Sequence, residues 1–255
     1  MRARRYHRAG VTCLQACAAA VLTLMTGGPA VAGPPFVTDD PVPTDTGHWE
    51  IYGFLSGARL HHETNGDGGV EVNFGAAPDL QLSVDLPVAY ERSVGSHLGM
   101  GDIGASVKYR WLHQDPNGPT PDVAFFPAVS IPTAAHRVGS GHWELGLPIW
   151  AQKDVGDWSF FGGGGYTFNP GEGNRNYWRG GLAAQRTLSK RLSLGAEIYH
   201  HTADARDGQS FTGMTVGGTY KVSDHWSVLA AGGPGLQHPE EGGRYVFYVA
   251  LKADY

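Results

Sequence analysis

Cysteine, charge and long apolar runs are scarce in this sequence, and each shortage excludes a class of protein. The two cysteines, Cys13 and Cys17, both lie near the N-terminus, so the rest of the 255 residues has no thiol for a disulfide framework. No run of about 20 apolar residues follows that N-terminal segment, which excludes a helical membrane protein. Charged residues make up only 17 % of the chain.

Glycine and aromatic residues are abundant instead. The chain has 38 glycines, roughly double the average usage, together with 7 Trp, 11 Tyr and 10 Phe. This aromatic content excludes an intrinsically disordered chain. A glycine inside a helix costs about 1 kcal/mol relative to alanine, which disfavours a helix-rich domain. The composition therefore predicts an all-β protein.

Residues 1–32 have the features of a secretory signal peptide. An apolar stretch over residues 9–25 follows a basic start, which consists of Arg2, Arg4, Arg5 and Arg8. We predict cleavage after Ala32, where small residues end the segment. Cleavage removes four of the 19 Lys and Arg residues and no acid, so 15 basic residues remain against 24 acidic ones, a net charge of −9. This balance argues against a nucleic-acid partner.

Apolar and polar residues alternate along most of the remaining chain, which is the pattern of β-strands with one apolar face. Residues 80–90, 102–111 and 244–255 show the alternation most clearly. Turn signals divide the chain into twelve such segments: 48–60, 69–76, 80–91, 101–112, 122–133, 142–153, 158–168, 177–187, 192–202, 212–222, 226–234 and 244–255. The sequence therefore predicts a transmembrane antiparallel up-and-down β-barrel of about twelve strands over residues 48–255.

A soluble secreted β-sandwich would share this alternation, and two features favour the membrane over it. Aromatic residues lie near the predicted strand ends, as the interface girdles of a barrel require: Trp49, Tyr90, Trp111, Trp143, Trp158, Phe168, Trp178 and Trp226. The last strand ends on the aromatic Tyr255, the kind of C-terminal strand that the barrel-assembly machinery reads. We expect a bacterial outer-membrane location, with the assembly machinery and outer-membrane lipids as partners.

The predicted connectors alternate between short and long. Most of one set are turns of three or four residues, with residues 113–121 as the exception, and the other set includes predicted loops at 61–68 and 92–100. Short periplasmic turns and longer extracellular loops are typical of outer-membrane barrels. Both chain ends then lie on the periplasmic side.

With the apolar face outward, the polar face lines the lumen. The candidate lumen-lining residues are Glu50, Asp85, Asp102, Lys108, Arg110, Glu144, Arg179, Glu197, Lys221 and Lys252. Two hypotheses remain for these residues. Opposite charges could pair with one another and stiffen the wall, or the residues could form a selective lining in which Lys108 and Arg110 attract anions at a constriction.

The segment 33–47 precedes the first strand and is rich in Pro and Asp. Its prolines predict an extended chain that cannot join a sheet interior. It is either a periplasmic lead-in or a short plug that folds into the lumen toward Lys108 and Arg110.

Other chemistry is sparse in this sequence. Two His-His pairs in the predicted loops, His61-His62 and His200-His201, could bind a transition metal, but their spacing matches no structural zinc motif. A lipid hydrolase would need a serine beside His200, and Ser210 in the next loop is the candidate. We predict no catalytic residue, no metal and no cofactor.

Three stretches carry a family resemblance: residues 34–51, 101–110 and 127–133. Together they resemble the bacterial outer-membrane family of the MetA pathway of phenol degradation, whose members are often described as transporters. The resemblance implies a channel for small solutes, including aromatic or hydrophobic ones. A non-conducting barrel with a salt-bridged lumen is the alternative.

Overall fold

The computed structural model describes residues 35–60, 63–92, 96–134 and 139–255. The predicted signal peptide and its cleavage point lie outside the described residues. Fourteen strands and one short helix occur within them: β1 (Trp49–Arg59), β2 (Thr64–Ala77), β3 (Leu80–Arg92), β4 (Ser96–Met100), β5 (Ile103–Leu112), β6 (Asp122–Phe125), β7 (Ala128–Ile131), β8 (Glu144–Val155), β9 (Trp158–Phe168), β10 (Tyr177–Thr187), β11 (Leu192–His201), β12 (Phe211–Lys221), β13 (Trp226–Gln237), α1 (Pro239–Gly242) and β14 (Tyr245–Asp254).

The strands close into one antiparallel barrel. Neighbours along the chain pair with one another, and β14 pairs back onto β1, with Glu50 opposite Asp254. Because β4 and β5 both pair with β3, they form one interrupted barrel strand. In the same way β6 and β7 both pair with β5 and with β8. The predicted twelve-strand barrel is therefore confirmed, with two of its strands broken in two.

Proline accounts for one of these breaks. Between β6 and β7, Pro127 has no N–H to donate to the ladder, although its carbonyl still accepts the Val107 N–H at 3.0 Å. The preceding Phe126 N–H donates to the Pro148 carbonyl at 3.0 Å. The wall therefore stays hydrogen-bonded across the interruption.

The apolar face of the barrel points outward, as a membrane protein requires. Along β3, Leu82 is 44 % exposed, whereas its neighbour Gln81 is only 4 % exposed. A soluble sandwich shows the opposite arrangement, with its apolar face buried. The exposed apolar band encircles a polar interior, so the hypothesis of a soluble β-sandwich is wrong.

Most residues of two predicted loops belong to strands. We expected 61–68 to be a loop, but β2 begins at Thr64 and pairs with β1 as far as Arg59. We also expected a loop over 92–100, but Ser96–Met100 forms β4. The polar and glycine-rich residues of this region are typical of loops. The backbone hydrogen bonding of the sheet nevertheless continues through them, because each strand pairs with a neighbouring strand.

The two ends of the barrel differ. Turns of two to four residues join most strands at one end, for example between β8 and β9, and we call this the short-turn end; the connector 113–121 between β5 and β6 is the exception, as expected. At the opposite end, the long-loop end, most connectors are longer, and one of them contains α1. No helix in the described part of the chain is long and apolar enough to cross a membrane.

Candidate functional site

Residues 35–47, which we call the inner segment, run inside the barrel. At one point the backbone N–H groups of Val37 and Thr38 donate to the two carboxylate oxygens of Glu197, at 2.8 and 2.7 Å. Further along, the backbone N–H and hydroxyl of Thr44 both donate to the Gln81 side-chain oxygen, at 2.8 and 3.0 Å. An extended segment with few hydrogen bonds of its own thus satisfies its backbone on the barrel wall.

A buried ion pair also holds the inner segment. Lys108 Nζ lies 3.1 Å from Asp39 Oδ1, and the two side chains are only 6 % and 1 % exposed. The ammonium also lies 4.8 Å from the centre of the Phe126 ring. Because removing one member of such a pair leaves an uncompensated buried charge, the cost is about 3–5 kcal/mol. The pair fixes the middle of the segment against β5.

The inner segment divides the lumen into two chambers. The upper chamber, toward the long-loop end, has a volume of about 880 Å³, and the lower chamber, toward the short-turn end, about 530 Å³. Phe36 lines both of them and lies 6.1 Å from the Phe161 ring, centre to centre. A buried aromatic residue thus stands at the boundary between the chambers.

Several charges near the short-turn end are paired. Lys252 Nζ lies 2.7 Å from Glu50 and 2.9 Å from Asp254, and all three side chains line the lower chamber. Lys221 lines the same chamber. These contacts support the hypothesis that opposite charges pair and stiffen the wall.

Arg110 is bound at the same end, by a carboxylate on each side. It lies 2.8 Å from Asp79 and 3.4 Å from Asp122. Burial is the largest single influence on Asp79 and raises its pKa, but the hydrogen bonds and positive charges of Arg110 and His113 together outweigh it and lower the pKa of the Asp79 carboxyl. Neither Arg110 nor Lys108 lines either of the two chambers described above, and each contacts a carboxylate. Their expected role in attracting anions at a constriction stays a prediction.

The upper chamber contains five of the ten candidate residues, and its carboxylates have different partners. Asp85, Asp102, Glu144, Arg179 and Glu197 all line it. Asp102 accepts the backbone N–H groups of Ala134 and Ser140, at 3.0 and 2.7 Å, and so anchors a loop. Glu144 accepts the Tyr177 hydroxyl at 3.1 Å. In the loop above them, burial raises the pKa of the Asp204 carboxyl.

Sequence reasoning missed the aromatic lining of this chamber. Phe54, Trp150, Tyr199 and Tyr248 all line it, together with the acidic Glu71. The signal was present, because Trp150 has the same strand parity as Glu144, and Phe54 the same parity as Glu50. An analysis of charge alone overlooks these inward-facing aromatic side chains.

The structure separates the two histidines of the His200-His201 pair. His200 is exposed, and its Nδ1 lies 2.9 Å from the Thr212 hydroxyl, not at Ser210. His201 lines the upper chamber, and its ring centre lies 4.2 Å from that of Tyr177. Successive strand residues face opposite sides, so the two rings cannot share one metal ion. No group of three or more metal-ligating side chains occurs in the described residues, and His61 and His62 lie outside them.

Solved structures with a similar fold are outer-membrane barrels. The COG4313 outer membrane channel from Pseudomonas putida F1 aligns with a TM-score of 0.67 at 13 % identity, over 87 % of this chain and 99 % of that one. The NanC porin aligns with a TM-score of 0.55 at 11 % identity, over 80 % of this chain and 98 % of that one. At such identities the likeness shows the fold. The comparison with curated proteins gives no match.

The family assignment rests on sequence. The sequence model of the family described as "Putative MetA-pathway of phenol degradation" matches residues 35–243, which include the inner segment and all strands except β14. The resemblance seen in the motifs is thereby confirmed, and the chain belongs to this family.

Proposed function

We propose that the protein is an outer-membrane channel for small organic solutes, in which the inner segment acts as a plug. The observation that carries this proposal is the division of one lumen into two chambers by residues 35–47. A solute enters the upper chamber from the long-loop end and passes into the lower chamber when the segment moves aside. The barrels of similar fold are a channel and a porin.

The contacts of the inner segment suit a plug that moves. It is held at three places, by Glu197, Lys108 and Gln81, and each contact joins a polar group of the segment to a polar group of the wall. Water that fills the lumen would replace these hydrogen bonds when the segment leaves. A segment that formed a further wall strand could not leave without opening the sheet.

The test is conductance in a planar lipid bilayer. The mature chain is compared with a variant that lacks residues 35–44 and keeps the residues next to β1. We expect rare or small conductance steps from the intact chain and larger, persistent steps from the deletion variant. A deletion variant that folds without any conductance would instead support the alternative, a non-conducting barrel with a salt-bridged lumen.

The route to the membrane is part of the same proposal. Residues 1–32 are removed as a signal peptide, and the C-terminal segment, β14 followed by Tyr255, is read by the assembly machinery. In support, Tyr255 and Trp49 exchange two backbone hydrogen bonds, at 2.7 and 3.0 Å, where the barrel closes. N-terminal sequencing of the protein from outer membranes should give Gly33 as the first residue. Truncation of β14 should reduce the amount assembled there.

A further inference from the structure

The upper chamber is strongly acidic. Of the described side chains that line it, ten are carboxylic acids, and one, Arg179, carries a permanent positive charge. Several of the acids are used within the fold, as Glu197 is by the inner segment and Asp102 by a loop. The excess of acids nevertheless makes the chamber favourable for cations.

Two of these acids face each other, and neither forms a salt bridge within the described part of the chain. Glu71 on β2 lies directly opposite Asp85 on β3, and Asp67 lies four residues from Glu71 on the same face. Like charges in opposed positions destabilise a sheet. Glu71 accepts one hydrogen bond, from Asn73 at 2.9 Å, whereas Asp85 Oδ1 is buried with no partner among the described residues. A positive group between the two carboxylates would offset this repulsion.

Aromatic groups line the chamber beside the acidic wall. Phe54 lies on β1, opposite Gly69 of β2, and stacks on Tyr248 with a centroid distance of 6.2 Å. Aromatic faces attract cations and also pack against aromatic solutes. This wall therefore offers an apolar surface next to the carboxylates.

Trp150 supplies an independent indication of a ligand. Its side chain is 2 % exposed and lines the chamber, yet its indole Nε1 has no hydrogen-bond partner among the described residues. A buried N–H donor without an acceptor is costly. A solute that carries an acceptor oxygen would satisfy it.

We infer that the upper chamber binds aromatic ammonium ions, with preference for those that also carry a hydroxyl group. Glu71 and Asp85 hold the ammonium group, Phe54 and Tyr248 pack against the ring, and Trp150 donates to the hydroxyl oxygen. The chamber volume of about 880 Å³ suits an organic solute better than a bare metal ion. This inference rests on the proposed channel function and names its substrate class.

Three small probes separate the parts of this inference. Tyramine has the ammonium group, the ring and the hydroxyl, phenethylamine lacks the hydroxyl, and 4-hydroxyphenylacetate has a carboxylate in place of the ammonium group. Binding to the detergent-solubilised full barrel is measured by titration calorimetry at neutral pH. We expect tyramine to bind most tightly, phenethylamine more weakly, and 4-hydroxyphenylacetate not detectably.

Variants assign the contacts. In the double variant Glu71→Gln, Asp85→Asn, we expect tyramine to bind about tenfold more weakly, because a charge-assisted contact is lost. Trp150→Phe should remove the preference for tyramine over phenethylamine and leave phenethylamine binding unchanged. The control is Glu240→Gln, which removes one carboxylate outside the chamber lining. Heat-modified migration in gels shows that each variant folds.

The outcomes test the binding inference and the channel proposal separately. Equal binding of 4-hydroxyphenylacetate and tyramine overturns the inference, as does unchanged tyramine binding in the double variant. Calorimetry measures binding whether or not the barrel conducts. The ammonium-binding inference and the channel proposal can therefore be overturned independently. Tyramine binding by a barrel that never conducts supports the inference and overturns the channel, whereas a conducting barrel that binds no ammonium ion overturns the inference alone.

Discussion

At the scale of single residues, the contact between Asp39 and Lys108 is the most consequential in the lumen. It lies at a depth where neither side chain reaches open water, and it joins the inner segment to β5. A buried pair is weak evidence for stability, since hydrophobic replacements are often as good. Removing only one partner of the pair is destabilising, because the charge that remains is buried without a counter-charge.

We predict that Lys108→Met releases the inner segment. The Asp39 carboxylate would remain buried without its ammonium partner, at a cost of about 3–5 kcal/mol, unless the segment leaves the wall. Single-channel recording should show a larger mean conductance than in wild type. The double variant Asp39→Asn, Lys108→Met restores neutrality and should return toward the closed behaviour. Wild-type conductance in the single variant would contradict the prediction.

A second residue-scale prediction concerns Asp79, in the turn between β2 and β3. Its φ of +62° is left-handed, a conformation that Asn tolerates better than Ala. Burial alone would raise its pKa, but Arg110 and His113 hydrogen-bond to the carboxylate and together lower the pKa, so the ionised form is stabilised in the folded barrel. This stabilisation is present above the pKa of the unfolded chain, about 3.9, and is lost as pH falls through the lowered value.

Urea unfolding of Asp79→Asn and Asp79→Ala in detergent micelles tests this. At neutral pH we expect Asp79→Asn to be less stable than wild type because it loses the charge, and Asp79→Ala to be less stable still because of backbone strain. At a pH below the lowered pKa, the difference between wild type and Asp79→Asn should shrink. A difference that grew on acidification would contradict the assigned sign.

At the scale of elements, the strands were predictable from sequence and the inner segment was not. A period of two marks every barrel strand, because one side of the wall meets lipid and the other the lumen, so twelve segments could be located within a few residues. The pattern failed where strands extend beyond the lipid. Residues 64–68 have no apolar face to alternate, yet β2 includes them through its backbone pairing with β1.

The path of the inner segment leaves no periodic trace in the sequence. Its position depends on contacts with side chains far away in the chain, such as Glu197, 160 residues from Val37. Proline and aspartate suggested an extended segment, but a lead-in and a plug share that composition. Likewise the lumen charges could be identified from strand parity, whereas their pairing depends on strand order and tilt.

We predict that a larger side chain at Gly181 displaces the inner segment. A Cβ atom at this position would meet the Thr38 hydroxyl oxygen, so Gly181→Val competes with the segment for the same space. Gly53→Val is the matched control, because a Cβ at Gly53 has nothing within 4 Å. Both variants should fold into heat-modifiable barrels, and only Gly181→Val should increase conductance. An equal effect of both substitutions would point to altered wall strands instead.

At the scale of the whole molecule, the charges are distributed unevenly along the lumen. Two cations near the short-turn end are held by carboxylates, Arg110 by Asp79 and Lys252 by Glu50. The upper chamber has ten lining acids and a single arginine among the described residues. A solute that enters from the long-loop end therefore meets a negative field first.

We predict that the conducting state prefers cations. With a potassium chloride gradient across the bilayer, the reversal potential should have the sign of potassium permeation, because fixed carboxylates attract cations and repel chloride. The preference should be strong at about 0.1 M salt, where the Debye length is about 10 Å, and weak at about 1 M, where it is about 3 Å. The variant that lacks residues 35–44 supplies a conducting pore, and adding Glu71→Gln with Asp85→Asn to it should reduce the preference. A reversal potential of the opposite sign would mean that the paired cations near the short-turn end control permeation, and not the acids of the upper chamber.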